Sequence, residues 1–292
     1  MLRCIRSIRK FVASEGGFTA VELLMGVMLM GLAVVATSGM FVASKRHMRM
    51  QSREIETTQA ARAAVDMIIR DLRLGGACLP VTGDFISLEG TNGGDQDMIV
   101  TRTGLTRPDL SCIRSAVPTG ETVTASGGPV KVDSSEGFEA GMQAYIRHPD
   151  GEGEYFEITA VSSPTQLVKG TTLSRDYPAT SGIYGIDERR FFIETFSSPR
   201  GPMPELKLQV GSNPADAQSF AVGIEKLNVQ YQLRRNCPPC DVVNLPANND
   251  EWSIVEQVLL NVTARSELPD PEGDYYRRTV TVGVKPRNLL PQ

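Results

Sequence analysis

The sequence predicts an α+β protein in which one long amino-terminal helix packs on an antiparallel β-sheet head with a small inserted β module. Residues 18–44 form a 27-residue apolar stretch with one charge, enough for a helix of about 40 Å. Apolar side chains then follow the helical period up to residue 74, and short β-type runs between turn clusters fill the rest. At 41% apolar and 22% charged residues, the 292-residue chain has an ordinary globular composition.

The first element is a short basic segment, residues 1–17. It holds Arg3, Arg6, Arg9 and Lys10 against the single acidic residue Glu15, whereas the whole chain carries a net charge of −4. Positive flanks stay on the cytoplasmic side of a membrane, so this distribution indicates a targeting leader. The remaining acidic chain gives no reason to expect nucleic acid as a partner.

The second element is the apolar stretch 18–44, whose one charged side chain is Glu22. A secretory signal peptide is excluded because its apolar core runs to only about 15 residues and ends at a small-residue cleavage site that is missing here. A plain signal anchor fits the length but does not explain Glu22. A carboxylate near the start of a lipid-facing helix is costly and indicates a function.

The sequence GGFTAVELL at residues 16–24 resembles the processing site of type IV pilins and of the pseudopilins of type II secretion. The resemblance implies that a membrane peptidase cuts between Gly17 and Phe18, on the cytoplasmic side, and then methylates the new amino terminus at Phe18. It also implies that Glu22 is the assembly residue. Ala20 stands where the family commonly has leucine, a mild departure.

The physics of a helix bundle in lipid explains a role for Glu22 in assembly. Cleavage would leave an α-amino group on Phe18, and this ammonium can meet the carboxylate of a neighbouring subunit. In a medium of low dielectric constant the pair is strongly favoured over either charge alone. We therefore expect Glu22 to set the axial register between subunits rather than to catalyse a reaction.

The helix is predicted to continue through residues 45–76, outside the membrane. Its next stretch is basic, with most of the positive charge between residues 45 and 53. Apolar residues at 61, 64, 65, 68, 69 and 72 then keep the helical period and predict one face packed on the head. Gly75 and Gly76 are expected to end the helix.

Residues 77–292 are predicted to form the β-rich head. Nine runs favour strands, at 98–101, 122–125, 143–147, 155–161, 190–195, 205–210, 224–233, 254–264 and 277–284. An additional β module is expected at about 120–186. Four segments resemble PilW-type minor pilins: the helix-end run 70–76, the pattern of 137–168, and the runs 223–231 and 252–266. The nearest rival is a minor pseudopilin of type II secretion, whose heads tend to lack so large an insertion.

Cysteine usage favours disulfides in an exported head. Cys4 lies in the leader, which leaves Cys78, Cys112, Cys237 and Cys240 as disulfide candidates. Four cysteines allow three connectivities. The Cys-Pro-Pro-Cys sequence at 237–240 favours a local disulfide, with pairing to the other two cysteines and a metal or redox role as the alternatives.

No nucleophile elbow, phosphate loop or dinucleotide fingerprint appears in the sequence, so we expect neither an enzyme nor a cofactor. His47 lies in the basic stretch and is expected to be solvated or to face lipid headgroups. His148 precedes an acidic turn at 149–154, where a solvated hairpin is favoured over a calcium site because no full ligand loop is recognisable.

The resemblance implies a minor pilin that initiates or caps pilus assembly, at the pilus tip. Its partners would be other minor and major pilins, the prepilin peptidase and inner-membrane lipid, with a single membrane pass and a periplasmic head. The alternatives are a minor pseudopilin or a tip module for adhesion or DNA uptake, in which the insertion at 120–186 binds a ligand. A periplasmic disulfide oxidoreductase would need a reactive thiol at Cys237.

Overall fold

A computed structural model describes residues 19–80, 84–199, 201–270 and 272–288. Helix α1 (Ala20–Leu74) contains 55 residues, so the predicted long amino-terminal helix is confirmed. It ends at the two glycines, as expected. Gly76 has a positive φ of 79°, and its N–H donates to the carbonyl of Arg102 at 2.9 Å, which turns the chain into the head.

The chain divides into two compact units, Met1–Ser52 and Arg53–Gln292. In the first unit, every described residue from 19 to 52 is exposed within the chain. In the second unit, α1 contributes a stripe of buried residues to the head: Thr57, Ala61, Ala64, Val65, Ile68, Asp71 and Leu72. Of the six apolar positions predicted for this face, only Ile69 is not fully buried.

The head is built from antiparallel strands. In chain order they are β1 (Leu88–Thr91), β2 (Met98–Gly104), β3 (Arg114–Ala116), β4 (Val130–Lys131), β5 (Gln143–Arg147), β6 (Gly153–Ser163), β7 (Gln166–Lys169), β8 (Gly182–Ser198), β9 (Gly201–Val210), β10 (Gln218–Val222), β11 (Ile224–Leu233), β12 (Asp241–Val243), β13 (Val255–Arg265) and β14 (Arg277–Val284). A 3₁₀ turn (Pro214–Asp216) precedes β10, and a short helix, α2 (Asn249–Ser253), precedes β13.

Two sheets organise these strands in the described part of the chain. The larger has the order β1-β2-β8-β5-β6-β7-β4, with β3 and β9 also paired to β8, and β10 paired to β9. The smaller has the order β12-β11-β13-β14. Strand β8 has 17 residues and pairs along its length with β3, β5, β2 and β9. It is therefore the strand that the different parts of the larger sheet share.

The first hydrophobic core joins the buried stripe of α1 to both sheets. Ile68 lies in it with Ile99 and Phe191 of the larger sheet and Leu227 and Leu260 of the smaller sheet. Because α1 supplies one side of this core, the head and the part of the helix from Arg53 onward form one folded unit.

A second core largely coincides with the region of the expected insertion, residues 120–186. Its buried residues run from Ile113 and Val117 through Phe156 to Ile183, so it begins before the predicted boundary at residue 120. The strand predicted at 122–125 is wrong, because these residues form only an isolated bridge between Val123 and Tyr177. The N–H of Ala125 donates to the Asp176 carboxylate at 2.7 Å instead of to a neighbouring strand.

Candidate functional site

The predicted cleavage residues Gly17 and Phe18 lie outside the described residues. The described chain begins at Thr19, directly before α1. The candidate assembly site is therefore built from Thr19 and the first turn of the helix, which contains Glu22.

Thr19 and Glu22 form a reciprocal capping box. Glu22 Oε2 accepts hydrogen bonds from the Thr19 backbone N–H and from the Thr19 hydroxyl, both at 3.0 Å. In return, the Glu22 backbone N–H donates to Thr19 Oγ1 at 3.3 Å. The threonine occupies the N-cap and the glutamate the third helical position, so two donors that the helix leaves unpaired gain partners.

This capping box places the Glu22 carboxylate at the amino end of α1. The positive end of the helix dipole lies there, which also favours a negative charge. The spacing T-x-x-E at 19–22 is a known sequence signature of the box, so the contact could have been predicted from the sequence. Glu22 has a local structural role in addition to any role in assembly.

We divide α1 into a first stretch, residues 20–52, and a second stretch, residues 53–74. Within the first stretch, residues 23–44 are uncharged and exposed at every position within the chain. Large apolar side chains are exposed over half or more of their surface, as in Leu23 (63%), Leu29 (67%) and Val35 (72%). An 18-residue window of α1 has a mean hydropathy of 2.1. By length and composition the helix could cross a membrane. His47 and Arg49 are exposed within the chain, and Arg53 is half-buried.

An ion pair joins the second stretch of α1 to the larger sheet. The Asp71 side chain is only 3% exposed, and both of its carboxylate oxygens accept from Arg189 Nη1, at 3.2 and 3.3 Å. Burial raises the pKa of Asp71 above its ordinary value, although the Arg189 charge acts in the opposite direction. Arg189 also bonds Asp187 at 3.0 Å, so its charge has a second partner.

Arg102 on β2 is a second buried charged residue of the head. Its side chain is 9% exposed and bonds Glu188 and Glu89, each at 2.7 Å. Its guanidinium also lies 5.4 Å from the ring centre of Tyr155. Burial raises the pKa of Tyr155 to about 12. These long-range pairs have no local sequence signature, and the sequence did not predict them.

The four candidate cysteines lie at disulfide distance in two pairs. Cys78 pairs with Cys112, 34 residues away, with 5.5 Å between their Cα atoms. Cys237 pairs with Cys240, with 4.1 Å between their Cα atoms. This is one of the three connectivities that the sequence allowed.

Two places in the sequence offer potential metal ligands, the Cys-Pro-Pro-Cys segment and the acidic turn at 149–154, and in both the ligand atoms have other partners. Cys237, Cys240 and Glu256 are the group of potential ligands found among the described residues, but the two sulfurs are bonded to each other. In the acidic turn, Arg175 bonds both Asp150 and Glu152. This contact lowers the pKa of Asp150 to about 2. Glu154, the third carboxylate of the turn, accepts hydrogen bonds from Ser174 and Tyr177 instead. The turn is therefore a hairpin whose three carboxylates all have partners within the chain.

Comparison with protein-family models finds none that matches this chain, and comparison with curated proteins finds no match either. The features that indicate a function are therefore the geometry of α1 and the residues at its start.

Proposed function

We propose that this chain is a type IV pilin-like subunit, a PilW-type minor pilin that initiates or caps filament assembly at the pilus tip. Residues 1–17 would be its leader, removed by a prepilin peptidase between Gly17 and Phe18, and Phe18 would then be N-methylated. Residues 18–44 would cross the inner membrane once and hold the head in the periplasm. Its partners would be the other minor pilins and the major pilin.

The contrast within α1 carries this proposal. Residues 19–44 are exposed throughout, predominantly apolar and uncharged apart from Glu22, and residues 45–52 are exposed and basic. The last part of the same helix lies in the core of the head. A helix that is apolar on all sides must be covered by lipid or by other helices. A subunit whose helix lies first in the membrane and then in a filament meets this requirement.

The capping box supports a specific role for Glu22. Its carboxylate lies 3.0 Å from the Thr19 backbone nitrogen, and Phe18 is the residue bonded to that nitrogen. A new α-amino group on Phe18 would therefore arise within one residue of the carboxylate. We propose that the two groups pair within one chain before assembly, and that Glu22 then exchanges to the amino terminus of a neighbouring subunit.

The second core favours a pilus subunit over the rival pseudopilin. It is a packed cluster separate from the core that contains α1, with its own buried aromatic residues Phe138, Phe156 and Tyr177. So large an additional module matches the resemblance to PilW-type minor pilins. A pseudopilin of type II secretion would use the same peptidase and the same helix, and secretion rather than piliation would depend on it.

Mass spectrometry of the mature protein tests the processing step. We expect a chain that begins at an N-methylated Phe18 when the full-length protein is produced together with a prepilin peptidase. A bulky residue at Gly17, such as Gly17→Leu, should leave the leader attached, whereas Gly16→Ala serves as a control that keeps the cleavage residue. A mature chain that begins elsewhere, or that retains the leader beside an active peptidase, would refute the proposal.

A further inference from the structure

The loop between β11 and β12 carries an exposed disulfide in a very short ring. Cys237 and Cys240 are three positions apart, Cys237 is exposed and Cys240 is half-buried. A ring of this size restricts the unfolded chain far less than a long loop does. The bond is also open to attack by a thiol from solvent at Cys237.

Contacts other than the disulfide hold this loop in place. Arg235 bonds Asp241 at 2.8 Å and Glu251 at 2.6 Å. The Asn236 amide bonds the same Asp241 carboxylate at 3.0 Å, and Leu233 is paired with Asp241 in the β11–β12 ladder. Because these contacts bracket both cysteines, opening the disulfide leaves the ends of the loop anchored.

The Glu256 carboxylate lies close enough to Cys240 to accept a hydrogen bond from its thiol in the reduced form. Glu256 Oε2 lies 3.7 Å from Cys240 Sγ, while Glu256 Oε1 bonds Lys285 at 2.8 Å. In the dithiol state the Cys240 S–H can donate to this oxygen. Glu256 lies beside Cys240, and Cys237 is the exposed sulfur of the pair, so Cys237 is the sulfur that an incoming thiolate reaches.

The other disulfide has the opposite setting. Cys78 and Cys112 are both half-buried, and they lie 34 residues apart in the sequence, so their disulfide closes a long loop. Gly104 packs so closely on Cys78 that a Cβ added to the glycine would lie 2.6 Å from the cysteine Cβ. The Gly104 N–H also donates to the Ala77 carbonyl at 2.7 Å. Opening this bond would disturb the packing where α1 enters the head.

From this difference we propose that Cys237–Cys240 is a thiol-exchangeable disulfide, reduced by the dithiol of a partner protein, while Cys78–Cys112 remains oxidised. The incoming thiolate attacks Cys237 Sγ, and the bond to Cys240 breaks. Cys240 leaves with the electron pair and takes a proton from solvent. The second thiol of the partner then attacks the mixed disulfide and releases Cys237, so the partner becomes a disulfide and this chain gains two electrons and two protons.

A redox titration of the full-length protein in detergent tests the proposal. The protein is equilibrated with reduced and oxidised dithiothreitol, from the oxidised and from the reduced side, and each cysteine is then quantified by alkylation and mass spectrometry. We expect four oxidised cysteines at the start. Half-reduction of Cys237 and Cys240 should occur at a dithiol-to-disulfide ratio at least ~10-fold lower than for Cys78 and Cys112. Near-ultraviolet circular dichroism should be unchanged at that point.

Three results would overturn the proposal. The first is that both disulfides are reduced at the same ratio of dithiol to oxidised dithiothreitol. The second is that reduction of Cys237–Cys240 unfolds the head. The third is that all four cysteines are free thiols in the protein as purified. Release of zinc on alkylation would accompany the last result if the sulfurs held a metal instead of each other.

The role of Glu256 as a positioning residue has its own test. In the reduced protein, Glu256→Gln removes the negative charge 3.7 Å from Cys240 Sγ and should raise the alkylation rate of Cys240 at pH 7 about threefold or more. Glu256→Asp should restore the wild-type pH profile in part. Glu225→Gln is the matched control, because Glu225 pairs with Arg277 at 2.6 Å in the same sheet. An unchanged Cys240 pH profile in Glu256→Gln would show that the carboxylate does not act on the thiol.

Discussion

The two stretches of α1, residues 20–52 and 53–74, belong to one continuous helix but have opposite surroundings. The first is exposed at every described position, although it is the more apolar of the two. The second has charged residues on one side and a buried stripe on the other, which includes Ala61, Ala64 and Ile68. Apolar content therefore does not predict which part of a helix packs within its own chain. The spacing of the apolar residues does, because only a one-sided stripe can face a single core.

The largest expected effect comes from truncating the second stretch. Ile68 is fully buried in the core, so Ile68→Ala should lower the free energy of unfolding of the head by about 3 kcal/mol. Leu29→Ala in the first stretch removes a side chain that is 67% exposed within the chain, and it should change that free energy by less than ~0.5 kcal/mol.

Both variants can be measured by urea unfolding of the full-length protein in detergent. The single tryptophan, Trp252, reports on the same core, where its ring lies 4.8 Å from that of Tyr231. Equal losses of stability for the two variants would break the distinction between the two stretches.

A smaller effect is expected from the buried carboxylate of the second stretch. The folded-state pKa of Asp71 is raised above its ordinary value of 3.8, so the folded head binds this proton more tightly than the unfolded chain. The contribution of Asp71 to stability therefore falls as the pH rises from about 4 through the raised pKa. Asp71→Asn should abolish this pH dependence.

At pH 7 the Asp71→Asn variant should be as stable as the wild type or more stable, within about 1 kcal/mol, because Arg189 keeps its bond to Asp187. Asp66→Asn, on the exposed side of the same stretch, is the matched control. Unfolding free energies at pH 4 and pH 7 decide the question. A wild-type head that gains stability between pH 4 and pH 7, relative to Asp71→Asn, would contradict the assigned direction.

Much of the fold could be predicted from the periodicity of apolar residues in the sequence. The helix end at Gly75 and Gly76 was predicted, and the strands at 143–147, 224–233 and 277–284 match the observed bounds. The run at 122–125 failed because the side chain of Asp176, distant in sequence, takes the backbone N–H of Ala125. Local propensity carries no information about such a competitor.

The contacts of the candidate site are likewise of two kinds, local ones that the sequence predicts and long-range ones that it does not. Thr19 and Glu22 are three residues apart, so their contact follows from a local rule. The pairing of Asp71 with Arg189 spans 118 residues, and the contact of Cys240 with Glu256 depends on which strands are neighbours. These contacts exist only once the sheets have formed, and a single sequence does not specify which distant side chains will meet.

The most direct test of the account is the incorporation of Glu22→Gln into filaments. Glutamine keeps the capping box but removes the charge, whereas the control Thr19→Ala weakens the cap and keeps the charge. Both variants should be inserted, cleaved after Gly17 and stable in the head. Filament incorporation, measured by immunoblot of sheared filaments, should fall at least ~10-fold for Glu22→Gln and less than ~2-fold for Thr19→Ala. Wild-type incorporation of Glu22→Gln, or an equal loss in Thr19→Ala, would contradict the assignment of the Glu22 charge to assembly.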